Sequence, residues 1–225
     1  MTPLASFNDE RATGYDKFIH RWIPMYPEIM ALIPAIIKAE ISQTDTNLLV
    51  AGCGTGNEIM RMKQAGFQGS IVGVDPSPDM VDLANEKLDG LENILLVRGD
   101  VKDLSPQPQF DLATLILVLH FLTDDGEKLK LLQDISQRLK KGAPFILVDI
   151  FGAKDRIRRN LKFLLEYFTP PNPREEAQER VQRIEERILY IPETRYEELF
   201  AEAGFVNTQR FFQHTIYGGW ITYKA

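Results

Sequence analysis

The sequence predicts an α/β fold in which a mostly parallel sheet is covered by helices on both faces. Three observations predict it. Short apolar runs alternate with amphipathic helical stretches from Leu48 to Ile150, the pattern of strands joined by crossover helices. The first run, Leu48–Ala51, breaks into Gly52-Cys53-Gly54-Thr55-Gly56 and then into a helical pattern through Ile59, Met62 and Ala65. Later runs end in carboxylates at Asp75, Asp100 and Asp149, and ligands of such sheets sit at the carboxyl ends of the strands.

Composition bounds the rest. The chain has 225 residues, 44% hydrophobic and 26% charged, which suits one globular domain with an elaborated cap. A formal net charge of -6 opposes a polyphosphate backbone, so general nucleic-acid binding is disfavoured. Cys53 is the single cysteine; no disulfide can close within the chain and no all-cysteine metal cluster is possible. His20, His120 and His214 lack metal-motif spacing, so no metal is expected. Met1 to Asp16 shows no basic region followed by an apolar run, and no stretch approaches the ~20 apolar residues of a membrane span. A cytoplasmic protein without a membrane partner is the expectation.

The elements follow in order. Residues 1–44 read as a helical cap, with stripes at Phe18, Ile19, Trp22 and Ile23 and at Ile29, Leu32, Ile33, Ile36 and Ile37, interrupted by Pro24 and Pro27. Such a cap covers a sheet face or acts as a lid over the glycine loop, with Tyr15, Arg21 and Tyr26 turned inward. Residues 45–150 are the ligand-binding core. Strands are expected at Leu48–Ala51, Ile71–Val74, Ile94–Val97, Leu112–Leu119 and Phe145–Ile150, and helices at Asn57–Ala65, Pro78–Leu88 and Glu127–Lys140. Lys140-Lys141-Gly142 reads as a cationic helix end with a C′ glycine.

The glycine loop is the centre of the expected site. Free N–H groups and the positive dipole end at a helix start attract an anion, and glycines let a ligand approach the backbone. A dinucleotide fingerprint needs a glycine at the sixth position from Gly52, where Asn57 stands. Asp75 is placed to accept bonds from both hydroxyls of a ribose, with Ser77 and Asp79 as alternative helix caps. Asp100, in Gly99-Asp100-Val101, can accept from an exocyclic amine while a neighbouring N–H donates to a ring nitrogen; read blandly, Gly-Asp is a turn. His120 follows the fourth strand as a structural histidine or as a pocket residue that takes a proton. Asp149 is a base, a hydrogen-bond acceptor or a cap.

Gly52–Gly56, Asp75, Gly99-Asp100, Asp111 with its following strand, Gly142 and Ala203-Gly204-Phe205 occur in one order and spacing. Over roughly residues 45–150 and 195–225 this resembles the class I S-adenosylmethionine-dependent methyltransferases. The resemblance implies a doubly wound, Rossmann-like, seven-stranded sheet ending in an antiparallel hairpin, for which Asn207–His214 and Gly219–Lys224 fit. It implies S-adenosylmethionine as cofactor, S-adenosylhomocysteine as product, and in-line methyl transfer to an O, N or C nucleophile of a small molecule. The cofactor would be held by Ala51, Gly52, Cys53, Gly54, Gly56, Asn57, Asp75, Pro76, Met80, Gly99, Asp100, Val101 and Val118. A general base is optional, because positioning alone can supply much of the rate; the candidates are His120, then Tyr15, Asp149 and His214. One departure is Val50, where many members carry an acidic residue.

Arg21-Trp22-Ile23-Pro24-Met25-Tyr26, Asp75-Pro76-Ser77-Pro78-Asp79-Met80 and Phe211-Phe212-Gln213 look more narrowly like the carboxy-S-adenosylmethionine synthases. That likeness would put Arg21 and Tyr26 beside the cofactor. Against identity, Gly54 stands where those synthases typically show serine. The alternatives to methyl transfer are thus a synthase-like enzyme and a non-catalytic module that binds the cofactor.

Residues 151–192 read as a helical insertion that selects substrate or joins two subunits in a homodimer. Lys154, Arg156, Arg158, Arg159 and Lys162 crowd a helix start, which is unfavourable unless something anionic meets them; the readings are a solvated face or a gate for an anionic substrate. Arg180, Arg183 and Arg187 lie among glutamates and read as locally neutralised. Residues 193–225 complete the single domain with a helix, opened by a Thr194/Glu197 capping box and closed by Gly204, and the hairpin.

Overall fold

The computed structural model describes residues 9–41 and 45–225. Seven strands form one sheet: β1 (Asn47–Ala51), β2 (Ser70–Asp75), β3 (Ile94–Arg98), β4 (Leu112–Ile116), β5 (Pro144–Ile150), β6 (Phe205–His214) and β7 (Tyr217–Lys224). Their spatial order is β3-β2-β1-β4-β5-β7-β6. The first five are parallel, and β7 inserts antiparallel between β5 and β6. The chain leaves β1 toward β2 on one side and reaches β4 on the other, so the strand order reverses beside the glycine loop. In open α/β sheets that reversal opens the ligand crevice.

Helices cover both faces because β1 is apolar on both. Leu48 and Val50 point into one core, joined by α1 (Asp9–Trp22), α2 (Tyr26–Glu40), α3 (Asn57–Gln64), α4 (Pro78–Lys87), α6 (Lys154–Phe168) and α7 (Arg174–Arg187). Leu49 and Ala51 point into the other, under α5 (Glu127–Arg138) and α8 (Glu193–Glu202). This is the period-2 alternation of a central strand. Leu48, Leu49 and Val50 are fully buried, and at ~25 cal/mol per Å2 each contributes about 2 kcal/mol of burial. No described helix is long and apolar enough to cross a membrane.

Three expected boundaries move. The fourth strand stops at Ile116, not Leu119: Leu117 takes φ 59° while its N–H donates to Val148 O at 2.7 Å, and Leu119–Phe121 forms a 3-10 turn. This kink sets His120 on a turn at the strand's end. α5 stops at Arg138, because Leu139 goes extended and bridges Phe110. Gly142, at φ 76°, is therefore in a later turn whose N–H donates to Lys224 O, and it is not the helix's C′ residue. α8 begins at Glu193 with Pro192 at its cap, so Thr194 lies inside the first turn and makes no capping box with Glu197. Residues 154–187 form the pair α6 and α7, which packs on α1: Trp22 meets Phe168 edge-on at 5.2 Å.

Candidate functional site

The loop between β1 and α3 is shaped by its glycines. Gly52, Gly54 and Gly56 have φ of 68°, 50° and 79°, the left-handed region that side chains resist. Gly52 N–H and Cys53 N–H both donate to Val74 O, at 2.7 and 3.0 Å, and Gly56 N–H donates to Cys53 O at 2.9 Å. A Cβ at Gly52 would lie 2.4 Å from Val118 Cγ2, whereas one at Gly54 would meet nothing within 4 Å. The loop thus packs against Val118 on one side and leaves bare backbone at Gly54. Burial pushes the Cys53 thiol up, which makes it inert rather than nucleophilic.

Asp75 ties the loop to the next strand end. Its Oδ2 accepts Gly54 N–H and its Oδ1 accepts Ser77 N–H, both at 2.9 Å. Burial raises its carboxyl and these two N–H groups draw it back. Each oxygen keeps acceptor capacity, since a carboxylate offers about four sites. Helix capping falls to Ser77, whose Oγ accepts Met80 N–H at 3.4 Å. Met80 and Val101 are buried and Pro76 is exposed. Asp100 is exposed and pairs with Lys102 at 2.7 Å; its own N–H donates to Asp103 Oδ2. Gly99 has φ 151° and a Cβ there would come 3.0 Å from Asp103 Oδ2.

The cap is bound to the loop through a residue that sequence reasoning missed. Asp16 Oδ1 accepts from Thr55 Oγ1 at 2.7 Å and from Asn57 Nδ2 at 2.8 Å, while Oδ2 pairs with Lys87 at 2.6 Å. Lys87 also donates to Asn57 Oδ1 at 2.6 Å. Burial works against the Asp16 carboxylate, yet these bonds lower it overall. Tyr15 and Tyr26 then close over the loop. With Met30, Ile116 and Leu117 they line one pocket together with Gly52, Cys53, Gly54, Thr55, Asn57 and Glu58. Burial, then Asp75 and Asp16, push the Tyr15 phenol up to about 12. Burial also raises Tyr26. Arg21 does not turn inward. Its guanidinium binds Asn172 Oδ1 and Glu176 Oε2 and lies 4.9 Å from the Trp22 ring centroid, because α7 offers a carboxylate on the outer side of α1.

At the β4 and β5 ends a buried pair forms. His120 Nδ1 lies 2.5 Å from Asp149 Oδ1, and His120 N–H donates to Asp149 Oδ2 at 3.1 Å. Asp149 is fully buried and His120 nearly so. A carboxylate can only accept, so the geometry suits a proton on Nδ1. Lys128, fully buried, stitches this corner: Nζ donates to Leu119 O, Leu122 O and Leu189 O at 2.7 to 2.9 Å. Burial lowers its ammonium, and Asp149 leads the charges that raise it again. His214 stands at the tip of the β6–β7 hairpin, beside Thr215 Oγ1 at 3.4 Å.

The chain is similar to known proteins in sequence and in fold. A family model described as a methyltransferase domain fits residues 48–142. An uncharacterized methyltransferase of Bacillus mycoides strain KBAB4 is 31% identical over 148 residues, 65% of this chain and 68% of that one. The chain belongs to the methyltransferase family. This methyltransferase also shares its fold with human N-acetylserotonin methyltransferase, solved with SAM, at a TM-score of 0.68 and 19% identity over 100% of this chain and 59% of that one. The same holds for magnesium protoporphyrin IX methyltransferase from Synechocystis PCC 6803, solved with SAH, at 0.67 and 16% over 99% and 97%. The fold is Rossmann-like with a C-terminal antiparallel hairpin.

Two further residues of the methyltransferase were not foreseen. Glu58 is 7% exposed and lines the pocket, with Oε1 buried and lacking a hydrogen-bond partner. Burial pushes its carboxyl up to about 7, with the Thr114 hydroxyl drawing it back. Arg180 is not neutralised by its helix neighbours. It lies 4.9 Å from the Phe18 ring centroid, beside Tyr217, with its Nε buried and unpartnered, and among the described residues no carboxylate pairs with it. Arg183 does pair locally, with Glu179, and Arg158 with Glu185.

Proposed function

We propose that this enzyme transfers a methyl group from S-adenosylmethionine to a proton-bearing oxygen or nitrogen of a small anionic acceptor, with His120 as general base. The observation that carries the reading is the buried His120–Asp149 pair, on the turn after β4 and in β5, on the same side of the sheet centre from which Ile116 and Leu117 reach the pocket. The residues present fit the cofactor: Gly54 leaves its backbone open, and Asp75 keeps acceptor sites on both oxygens. Gly52, Gly54 and Asn57 would hold the amino acid end, Asp75 the ribose, and Asp100 with Val101 the adenine. When bound, S-adenosylmethionine supplies a methyl group already activated on a sulfonium.

The chain's own residues then have three tasks. Tyr15, Tyr26 and Met30 cover the pocket and exclude water. Asp149 fixes the His120 tautomer so that Nε2 takes the acceptor's proton, a service typically worth 10²–10⁴ in rate. Arg180, with its Nε buried and no carboxylate partner among the described residues, lies beside Tyr217 and Tyr15 and supplies the counter-charge for an anionic acceptor. Calorimetric binding of S-adenosylmethionine and S-adenosylhomocysteine tests the cofactor, and mass spectrometry of retained ligand separates the unmodified cofactor from a carboxylated one. In turnover, His120→Gln should lower kcat by about 10²- to 10⁴-fold with S-adenosylhomocysteine affinity unchanged. Unchanged kcat would make the pair structural, and no binding at millimolar cofactor would sink the reading.

A further inference from the structure

Val50, two residues before the first glycine of the loop, is fully buried in an apolar core, so this position of β1 offers the loop no charge. The sheet shows what occupies the space beside it. Val50 pairs in register with Thr114 of β4, and the side chain that reaches Thr114 is Glu58, in the first turn of α3. Glu58 lines the pocket with Gly52, Cys53 and Gly54, the backbone that fits the amino acid end of the cofactor. Thr114 is the one side chain that draws this carboxyl back, and Glu58 Oε1 stays buried without a hydrogen-bond partner.

We infer that Glu58, delivered from α3 instead of from β1, receives the ammonium group of the cofactor's amino acid end. The inference rests on S-adenosylmethionine being the cofactor. An unpartnered buried carboxylate is costly and is kept where something cationic arrives to meet it. Among the described residues none that lines the pocket with Glu58 is a lysine, arginine or histidine, and the nearby Lys87 is engaged by Asp16, Thr55 and Asn57, so a cation carried by the ligand suits this carboxylate. The rise of the carboxyl to about 7 agrees with a group that lacks a counter-charge until the ligand is bound. Glu58 lines this pocket, whereas the His120–Asp149 pair, beyond the ends of β4 and β5, is not among its lining residues.

Two ligands separate this from a structural role: S-adenosylhomocysteine, and 5′-methylthioadenosine, which keeps the nucleoside and sulfur but has no amino acid. In calorimetry, Glu58→Gln should weaken S-adenosylhomocysteine by roughly 10- to 100-fold, the loss of one charge-assisted contact, and leave 5′-methylthioadenosine within about twofold of wild type. Retained nucleoside binding shows that the variant is folded. Glu58→Asp, which keeps the charge one methylene short, should lose less than Glu58→Gln. An S-adenosylhomocysteine affinity unchanged in Glu58→Gln, or an equal loss for both ligands, overturns the inference; unchanged affinity with lost turnover would make Glu58 the base instead. If wild type binds neither ligand, the cofactor reading fails first and takes the inference with it.

Discussion

Glu58 makes a stability prediction that needs no acceptor. Its carboxyl titrates near 7 in the folded chain, raised by burial, against an ordinary value of 4.5. The folded state therefore binds more protons than the unfolded state between about pH 4.5 and 7, and linkage makes the folded state lose stability as pH rises through that window. The difference of about 2.5 units corresponds to about 3 kcal/mol, fully developed above pH 7 and absent below 4.5. Glu58→Gln is isosteric and cannot ionise. The variant should thus match wild type near pH 4.5 and exceed it by up to about 3 kcal/mol at pH 8, several degrees in Tm for a chain of this size. Urea denaturation of both proteins at pH 4.5, 6 and 8, without ligand, reads this directly. A stability difference that does not change with pH would refute the reasoning, as would one of opposite sign. Together with the binding test it makes Glu58→Gln more stable and less competent, the trade expected of a strained functional group.

Asp75→Asn leaves one acceptor oxygen where two now hold Gly54 and Ser77, so it should weaken S-adenosylhomocysteine and 5′-methylthioadenosine alike, by about 10-fold or more. Calorimetry with both ligands checks this, and loss for S-adenosylhomocysteine alone would move Asp75 away from the ribose. Asp16→Ala should cost about 1 kcal/mol, after discounting for the partial exposure of the Asp16–Lys87 pair, and should raise hydrogen exchange in α1 more than in β1. Arg180→Met should change stability by less than about 1 kcal/mol, because among the described residues no carboxylate pairs with Arg180 and would be left stranded. It should raise KM for a carboxylate-bearing acceptor while sparing a neutral isostere, measured by initial rates.

The parts of the fold that were legible are those with local causes. Leu48–Ala51 followed by three spaced glycines requires a strand, a left-handed turn and a helix start, and β1, the loop and α3 fall there. Asp75, His120 and Asp149 were legible as strand-end residues, because the parallel order puts strand ends at one edge. What was hidden has non-local causes. Arg21, expected to turn inward, is held outward instead by a carboxylate, Glu176, 155 positions away on α7. Asp16 looks like one more polar residue on the wet side of an amphipathic helix until Lys87, Thr55 and Asn57 converge on it. Arg180 sits in a run of alternating charge that reads as self-neutralised. The kink at Leu117 has no signal at all, since leucine rarely takes a positive φ.

Glu58 shows why a charged residue misleads most at a functional position. An acidic side chain in the first turn of α3 complements the helix dipole, and that is a sufficient reason for it to be there. Only its depth decides otherwise: a dipole partner stays in water, whereas Glu58 is turned under the loop toward β4. Burial raises Glu58, Asp75, Tyr15, Tyr26 and Cys53 in the same direction. Every one of these groups becomes less willing to carry negative charge while the pocket lacks a cation. At Glu58, the carboxylate among them that lines the pocket, an anionic pyrophosphate would be repelled, while a ligand bearing a sulfonium and an ammonium is attracted. The electrostatics thus reach the same choice of cofactor as the missing sixth-position glycine, from groups that took no part in the sequence motif.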